Sequence, residues 1–302
     1  MTDAAGSLLR RDWLKQASAE LKKQSLPDPV WEASLLLARC LGISRLQLLA
    51  NQEVALQGAE RQRADDWLNR YQSGEPLAYL EGEAHFFGRP FVVSPAVLVP
   101  RADSESLIEM VLADADLPEQ SWVCDLGTGS GCLLLTLLAE RAQWQGIGID
   151  YSRQALKIAR SNARRHHLEP RVQWLQSSWL SSLQLPSGPG LVVSNPPYVI
   201  AGEEMGHGVA EFEPELALFV PEQDPLQAYR AILQSCAKPE TNGGLAAEAR
   251  LLFEIGAGRG EELIALAKTH GFRLLKRASD LGGVERALLF ARGSKPEPSG
   301  SR

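Results

Sequence analysis

Apolar residues in the N-terminal part of the chain recur at the spacing of one helix face. Between Ser7 and about Gln72 they return every three or four positions, as in Trp31, Leu35, Ala38 and Leu41. This period is typical of amphipathic helices. Helix ends are expected where proline or glycine interrupts it, at Pro27, Pro29, Gly42 and Gly58. The pattern predicts a small bundle of four short helices.

A strand pattern replaces the helical one between residues 74 and 100. Phe86, Phe87, Phe91 and Val92 flank the turn signal Gly88-Arg89-Pro90, an arrangement typical of two strands joined by a turn. We therefore expect a β-hairpin that links two domains.

After it, Asp103 or Ser104 has a side chain suited to capping a helix that runs through Val111.

Beyond Ser121, short apolar segments alternate with amphipathic ones. The predicted strands are Trp122–Leu126, Gly146–Ile149, Val172–Leu175, Leu191–Val193, Leu251–Ile255, Arg273–Lys276 and Ala287–Phe290. The predicted helices are Leu133–Arg141, Arg153–His166, Leu226–Ala237 and Glu261–His270. This alternation predicts an α/β domain with a parallel sheet covered by helices on both faces.

The patterns divide the 302 residues into four parts. A helical bundle covers residues 1–73, the linking hairpin covers 74–100, and the α/β domain covers 101–292. The remaining residues, 293–302, are rich in Pro, Ser, Gly and charge, a composition that predicts a disordered tail.

Composition and charge narrow the classes of function. A net charge of −6 argues against a protein that grips nucleic acid mainly through phosphate contacts, because that mode needs a basic face. Charged residues between Arg10 and Lys15 leave no secretory signal or membrane span there, so we expect a cytoplasmic protein. As a separate expectation, which no motif decides, we take it to be a monomer. The four cysteines and five histidines show no metal-ligand spacing, so no metal site is predicted.

A glycine-rich loop follows the first predicted strand and opens the next helix. Its residues are Gly127, Thr128, Gly129, Ser130 and Gly131. Glycines permit a tight turn and let a ligand approach the backbone closely. The spacing differs from the dinucleotide pattern G-x-G-x-x-G, which argues against NAD. We expect a nucleotide-like ligand here, and the alternative is a simple strand-to-helix turn.

Two further residues stand at the carboxyl ends of the next strands. Asp150 ends the second strand, where an acid in such folds accepts hydrogen bonds from ribose hydroxyls; the alternative is that it caps the helix starting near Ser152. Trp179 follows the third strand. Its ring is suited to walling off an adenine, although a tryptophan there is equally suited to the core.

The fourth strand runs directly into Asn195-Pro196-Pro197-Tyr198. The prolines have no N–H, so the loop carbonyls remain free to accept hydrogen bonds. The Asn195 side-chain oxygen and the Pro196 carbonyl can together hold an NH₂ group and direct its lone pair at a methyl donor. Tyr198 offers a flat face for stacking. The loop therefore predicts methylation of a planar amide or amino nitrogen, unless it is only a proline-rich turn.

Taken together, these segments resemble the class I methyltransferase fold and, within it, the PrmC/HemK family. That family methylates the glutamine of the Gly-Gly-Gln motif in peptide chain release factors. The likeness covers nearly the whole chain. Besides the bundle, hairpin and two loops, it is carried by Gly74-Glu75-Pro76-Leu77-Ala78-Tyr79-Leu80, Pro100-Arg101, Phe212-Glu213-Pro214, Ala217-Leu218 and Phe253-Glu254-Ile255-Gly256.

The resemblance implies a seven-stranded Rossmann-like sheet and a set of roles. S-adenosylmethionine would be the cofactor, bound by Gly127, Thr128, Gly129, Ser130, Gly131, Asp150, Trp179 and Asn195. The substrate glutamine would be held by Asn195, Pro196, Pro197 and Tyr198, with Asn195, Pro196 and Tyr198 as the catalytic residues. The helical bundle would help to dock the release factor.

Three departures from the family pattern stand out. Ala102 and Ser104 replace the usual Pro and Thr, and Ser178 replaces the usual acid before Trp179, which puts a contact to the adenine amino group in doubt. The segment 239–249 is longer than the usual Pro-Gly-Gly turn, and we expect it at the sheet edge opposite the active site.

Arg101 either binds an anion or, as we prefer, has a structural role. Residues Ala201–Val209 form either a lid over the substrate or a flexible surface loop.

Three other functions fit parts of the pattern. The first is methylation of a glutamine in a ribosomal protein, which would use the same loop. The second is methylation of the adenine amino group in nucleic acid, against which the acidic charge counts. The third is a binding module that keeps the cofactor without turnover, against which the intact Asn195 and Tyr198 count.

Overall fold

The computed structural model describes residues 8–23, 28–180, 190–203, 205–239, 244–247 and 249–293. Two compact units divide the chain. The first comprises Met1–Glu83 and Met205–Phe212, and the second comprises Ala84–Glu204 and Glu213–Arg302. The predicted break at Pro27, the predicted tail beyond Gly293 and residues 240–243 and 248 of the longer segment lie outside the described residues. Within the described part, no helix is long and apolar enough to cross a membrane.

The first unit contains the four predicted helices and a fifth. They are Arg10–Lys22, Pro29–Leu41, Arg45–Ala50, Gly58–Gln72 and Leu77–Glu81. Two-residue strands, Leu8–Leu9 and Ala55–Leu56, pair antiparallel. The segment Met205–Phe212 adds the short helix Val209–Phe212. The fifth helix follows Pro76 and ends at Gly82, whose φ of 72° is left-handed, so the hairpin region begins with a helical turn that the strand pattern did not predict.

Local chemistry accounts for the ends of the second helix. The Asp28 side chain accepts a hydrogen bond from the Trp31 backbone N–H at 2.9 Å, which satisfies one of the free donors of the first turn. Gly42 ends the helix with a φ of 66°, a conformation that glycine adopts without steric cost. The buried stripe of this helix contains Ala33, Leu36 and Leu37, whereas Trp31 is exposed.

The second unit is built on a seven-stranded sheet. Its strands in chain order are β1 (Trp122–Leu126), β2 (Gln145–Asp150), β3 (Val172–Gln176), β4 (Leu191–Ser194), β5 (Arg250–Glu254), β6 (Phe272–Ser279) and β7 (Glu285–Arg292). Their spatial order is β6-β7-β5-β4-β1-β2-β3. All seven predicted strands are present, which confirms the fold class.

The prediction of a fully parallel sheet is wrong at one strand. β7 lies between β5 and β6 and pairs antiparallel with both. β6 and β7 are joined by residues 280–284 alone, and a parallel return needs a crossover of about a dozen residues or more. In this loop Asp280 accepts hydrogen bonds from the backbone N–H groups of Gly282 and Val284. The short connection therefore forces the antiparallel direction.

Helices cover both faces of the sheet, as predicted. Three of them pack into one buried apolar cluster: Glu105–Leu112, Cys132–Glu140 and Arg153–Arg165. Two pack into the other: Gln227–Cys236 and Gly260–Thr269. Each cluster removes aliphatic and aromatic side chains from water, which is the main force that holds the layers together.

The predicted hairpin is present as Glu83–Phe86 and Arg89–Val92. Its turn residues Phe87 and Gly88 both have positive φ, as a tight two-residue hairpin turn requires. Phe86 and Phe91 are buried against the first face of the sheet.

The predicted helix cap is not formed. Ser104 stands at the N-cap position but its side chain makes no capping hydrogen bond, because a 3-10 turn over Ala102–Ser104 gives it helical rather than extended backbone. Asp103 instead pairs with Arg286 at 3.0 Å.

Candidate active site

The carboxyl ends of the parallel strands meet at one edge of the sheet. From β1 the chain proceeds outward to β2 and β3, and it then returns to place β4 on the other side of β1. The reversal opens a crevice outside the ends of β1 and β4, which is where open α/β sheets bind ligands. The Ser194 hydroxyl donates to the Leu126 carbonyl at 2.6 Å and ties the two strand ends together.

The glycine loop has the backbone geometry that its residues predict. Gly127, Gly129 and Gly131 have φ values of 75°, 55° and 81°, which residues with a Cβ rarely adopt. The backbone N–H groups of Gly127 and Thr128 both donate to the Ile149 carbonyl, at 2.8 and 2.9 Å. The loop is thus folded against the end of β2.

A buried asparagine holds the loop from the other side. The Asn162 amide nitrogen donates to the carbonyls of Ser130 and Val92, at 2.8 and 3.0 Å. Its oxygen accepts from the Val92 N–H at 2.7 Å. One side chain therefore fixes both the glycine loop and the second hairpin strand.

Asp150 points both carboxylate oxygens at backbone donors. Oδ2 accepts from the Gly129 N–H at 2.9 Å and Oδ1 accepts from the Ser152 N–H at 2.8 Å. The cap of the following helix is Ser152, which accepts from the Ala155 N–H at 3.2 Å, so the alternative of Asp150 as the cap is wrong. Burial raises the pKa of Asp150. Each oxygen keeps a lone pair for a further donor.

Sequence reasoning missed Asp125, an acid that lies in β1 just before the glycine loop. It is 1% exposed within β1, and its Oδ2 accepts from the Thr128 hydroxyl at 2.6 Å, whereas its Oδ1 makes no hydrogen bond of regular geometry. Burial raises its pKa to about 7. The available signal was a carboxylate inside a strand that otherwise reads as apolar.

A cavity of about 680 Å³ opens at this edge, within the range of small-molecule sites. Of the predicted site residues, it is lined by Gly127, Thr128, Gly129, Ser130, Asp150, Trp179, Asn195 and Pro197. Gly131, Pro196 and Tyr198 do not line it. Gly131 instead lies close to Leu135 and Trp174. A Cβ added at Gly131 would stand 3.2 Å from the Leu135 side chain and 3.3 Å from the Trp174 ring.

The chemistry of the lining fits a nucleoside that carries a charged amino-acid chain. Asp150 and Arg101 are the charged residues among those that line the cavity, Ser130 and Thr128 add hydroxyls, and most of the other lining side chains are apolar. Trp179 has a left-handed φ of 53°. Its ring lies beside the glycine loop, 3.6 Å from where a Cβ added at Gly127 would stand. Ser178, the departure from the family pattern, also lines the cavity.

The amide of Asn195 is oriented by a hydroxyl. Its Nδ2 donates to the Ser104 Oγ at 3.4 Å, and Ser104 lines the same cavity. With the nitrogen engaged there, the Asn195 side-chain oxygen is left to accept from a bound group. The 3-10 turn that prevents Ser104 from capping its helix is what turns this hydroxyl toward Asn195.

Tyr198 lies on the far side of the loop from the main cavity. Its ring packs against Gly256, where a Cβ would come within 3.0 Å of Tyr198 Cδ2. Its hydroxyl donates to Glu254 Oε1 at 3.4 Å, and burial raises the pKa of Tyr198. The ring lines a second cavity of about 430 Å³ with Glu203 and Arg259.

Glu254 is the second acid that sequence reasoning missed as a site residue. It ends β5, is 1% exposed, and accepts the Tyr229 hydroxyl on its backbone carbonyl at 2.9 Å. Burial raises its pKa to about 7. The family motif Phe253-Glu254-Ile255-Gly256 was noted in the sequence, but nothing in its spacing gave the acid a partner.

Arg101 is held by an acid with a fully buried side chain, Glu213. An Arg101 Nη2 hydrogen bond reaches Glu213 Oε1, and Glu213 Oε2 accepts from the Val99 N–H at 3.0 Å. This pairing supplies the structural role that we preferred for Arg101. Of the suggested lid, Glu203 belongs to the second unit and Met205–Val209 belong to the first, with residue 204 outside the described residues.

The described part of the longer segment lies at the other edge of the sheet, as expected. The Leu245 N–H donates to the Cys236 carbonyl at 3.0 Å, and Leu245 in turn accepts from Arg292 Nη1 at 2.6 Å. These contacts surround the amino end of β5, whereas Glu254 and the catalytic loop stand at its carboxyl end.

Known proteins resemble this chain along most of its length. Family models match it over residues 12–82 (PrmC N-terminal domain) and residues 102–212 (methyltransferase small domain). A release factor glutamine methyltransferase from Nitratidesulfovibrio vulgaris is 33% identical, covering 94% of this chain and 95% of that protein. One from Neisseria gonorrhoeae is 37% identical, covering 86% of this chain and 93% of that protein. A solved methyltransferase structure from Pyrococcus furiosus aligns with a TM-score of 0.48 at 14% identity, over 76% of this chain and 100% of that chain.

Proposed function

The chain belongs to the PrmC family of release factor glutamine methyltransferases, and from this premise we propose its reaction. It transfers a methyl group from S-adenosylmethionine to the side-chain amide nitrogen, N5, of the glutamine in the Gly-Gly-Gln motif of peptide chain release factors. The observation that carries the proposal is the position of Asn195 at the wall of the nucleoside-sized cavity, with its amide nitrogen engaged by Ser104.

S-adenosylmethionine is the methyl donor, and the main cavity is the place for it. Asp150 would accept the ribose hydroxyls, Trp179 would flank the adenine, and the glycine loop and Ser130 would meet the rest of the molecule. Gly131 supports this loop from beneath rather than touching the ligand. The bound cofactor supplies a sulfonium methyl group, which is already an electrophile.

The chain's own residues position the acceptor nitrogen. An amide nitrogen is a poor nucleophile because its lone pair is delocalised into the carbonyl. The Asn195 oxygen and the Pro196 carbonyl accept its two N–H groups, and this orientation presents the lone pair to the methyl carbon. Pro197 closes the cavity wall, and Tyr198 offers its ring as a platform for the planar amide. Fixed dipoles then stabilise the charge that moves onto nitrogen.

The partner and setting follow the same premise. The release factor is the protein substrate, the helical bundle of the first unit helps to dock it, and the reaction takes place in the cytoplasm. Every residue that lines the main cavity comes from the second unit, and we propose that the protein acts as a monomer. The acidic net charge supports a protein rather than a nucleic-acid substrate.

A competition for labelled methyl groups tests this proposal. The purified protein is given S-adenosylmethionine with a labelled methyl group, together with release factor, ribosomal particles and nucleic acid. We expect label in the release factor. Label only in a ribosomal protein would establish the sister activity, and label only in nucleic acid would establish adenine methylation.

Asn195→Ala tests the positioning mechanism in the same assay. We expect methyl transfer to be lost while S-adenosylmethionine affinity is largely kept, because the substitution removes the acceptor for the substrate N–H and leaves the glycine loop and Asp150 in place. Calorimetric binding of the cofactor provides the control. Equal activity of the variant would refute the mechanism.

A further inference from the structure

The side chain of Glu254 is a buried acid with an incomplete set of partners. Its Oε1 accepts from the Tyr198 hydroxyl at a long 3.4 Å. Its Oε2 is buried and makes no hydrogen bond of regular geometry. A buried carboxylate without full compensation costs folding free energy, so an acid at this place calls for a functional explanation.

Ser104 connects this acid to the main cavity. The Ser104 hydroxyl acts on Glu254 as a hydrogen-bonding neighbour that lowers its pKa, and the same residue lines the cavity. Its Oγ accepts from the Asn195 amide at 3.4 Å, which leaves its own hydrogen for the carboxylate. Asn195, Ser104 and Glu254 therefore form a continuous path from the methylation site to a buried base.

The proposed reaction needs such a path. When the amide nitrogen attacks the methyl carbon, the carbon–sulfur bond breaks, its electron pair stays on sulfur, and the nitrogen gains a positive charge while it still bears two hydrogens. One of these must leave as a proton. The Asn195 oxygen and the Pro196 carbonyl accept hydrogen bonds but are too weakly basic to keep that proton, so it has to pass on to a stronger base.

Resting on the proposed function, we infer that Ser104 and Glu254 form the proton exit of the methyl transfer. The proton of the methylated nitrogen passes to the Asn195 side-chain oxygen, an Nδ2 proton of Asn195 passes to Ser104 Oγ along their hydrogen bond, and the Ser104 proton passes to the Glu254 carboxylate. The products are a neutral N-methyl amide, neutral S-adenosylhomocysteine, Asn195 as its imidic acid tautomer and a protonated Glu254. Once the products have left the cavity, the same chain runs in reverse and the Asn195 oxygen releases the proton to solvent. Asn195 touches the reacting group, and Ser104 and Glu254 act through it.

The surroundings of Glu254 suit a base that works near neutrality. Burial raises its pKa to about 7, Ser104, Arg286 and Tyr198 lower it, and Asp103 raises it. These groups come from the 3-10 turn, from β7 and from the catalytic loop; Tyr229 and Cys132, on two helices, also feel its charge. A base must be ionised to accept a proton, so the rate should rise with pH and level off above this pKa.

The test is the pH dependence of a single turnover at saturating cofactor, from about pH 5.5 to about pH 8.5. For the wild type we expect a rise to a plateau. Glu254→Gln should be slower by about 100-fold or more and independent of pH. Ser104→Ala should match it, Ser104→Thr should restore most of the rate because it keeps the hydroxyl, and the double variant should be no slower than either single one.

Two further variants separate this role from a merely structural one. Tyr198→Phe removes a donor that lowers the pKa of Glu254, so the rising limb should move to higher pH. Asp125→Asn is the matched control, since burial also raises the pKa of Asp125 to about 7; in it the rising limb should persist.

Each outcome decides a separate claim. A wild type that transfers no methyl group to release factor contradicts the proposed function. A wild type that transfers methyl groups at a pH-independent rate, or a rising limb that survives in Glu254→Gln, overturns the proton exit. Ser104→Ala with full activity also overturns it, and this variant serves if Glu254→Gln does not fold, which cofactor binding and a thermal melt reveal.

Discussion

Single residues at the ends of β1, β4 and β5 set the chemistry of the site. Gly256 shows how closely they are fitted, because its missing side chain is what lets the Tyr198 ring lie on the backbone after β5. The ring in turn carries the hydroxyl that reaches Glu254. Tyr198 therefore has two contacts: its ring would carry the substrate amide, and its hydroxyl reaches the buried acid Glu254.

Gly256→Ala should displace the Tyr198 ring. The new Cβ would stand 3.0 Å from Cδ2, closer than ordinary van der Waals contact, so we expect kcat to fall by about 10-fold with cofactor affinity unchanged. Gly58→Ala, where a Cβ meets nothing within 4 Å, is the control. Steady-state kinetics with calorimetric cofactor binding provide the measurement, and an unchanged kcat would show that the ring position is irrelevant.

At the scale of elements, the sequence predicts the loops after β1 and β4, but it does not predict the distant side chains that hold these loops in place. Glycine spacing and proline content act on their own backbone, so the Gly127–Gly131 turn and the loop after β4 could be read locally. Asp103 or Ser104 was predicted to cap a helix, but the 3-10 turn over Ala102–Ser104 leaves no such cap, and Ser104 contacts Asn195 instead. Asn162 braces the glycine loop from 32 positions away in sequence. Such pairings arise only when distant segments pack.

Gly131→Ala should weaken cofactor binding without touching the ligand. Its φ of 81° would cost about 1–2 kcal/mol for an alanine, and its Cβ would press on Leu135 and Trp174, which shifts the loop. We expect the cofactor Kd to rise by about 10-fold. Gly283→Ala has a similar φ of 79° with open space around it, so it should lower stability alone. Equal Kd values in both variants would contradict the role of the loop geometry.

At the scale of the whole molecule, hydrophobic periodicity predicts the class of fold. The direction of β7 and the burial of two acids depend on the topology instead. The seven strands and the helices between them follow from alternating apolar segments. The direction of β7 follows from the length of the loop before it rather than from its own sequence. Burial of Asp125 and Glu254 depends on layers that close over both faces, so their raised pKa values could not be read from the chain.

These acids should make the protein less stable as pH rises. The pKa of Glu254 is near 4.5 when exposed and about 7 in the folded chain, so the folded state binds more protons between those values and the free energy of unfolding falls by about 3 kcal/mol across that interval. Above pH 7 the whole loss is present.

Glu254→Gln checks this sign. The amide cannot ionise, so the variant should gain Tm relative to the wild type as pH is raised from about 5 to about 8, while it loses activity. Asp125→Asn, with the same direction of pKa shift, should behave alike in thermal melts. A constant difference in Tm at all pH values would show that neither acid titrates in the folded chain as described.

The most direct test of the account is the location of the methyl group by tandem mass spectrometry. Release factor treated with the wild-type protein and S-adenosylmethionine should carry one methyl group, on the side-chain nitrogen of the Gly-Gly-Gln glutamine, and Asn195→Ala should leave it unmodified. A methyl group on another residue, or the same modification by Asn195→Ala, would contradict the proposal that the loop after β4 selects and orients that glutamine.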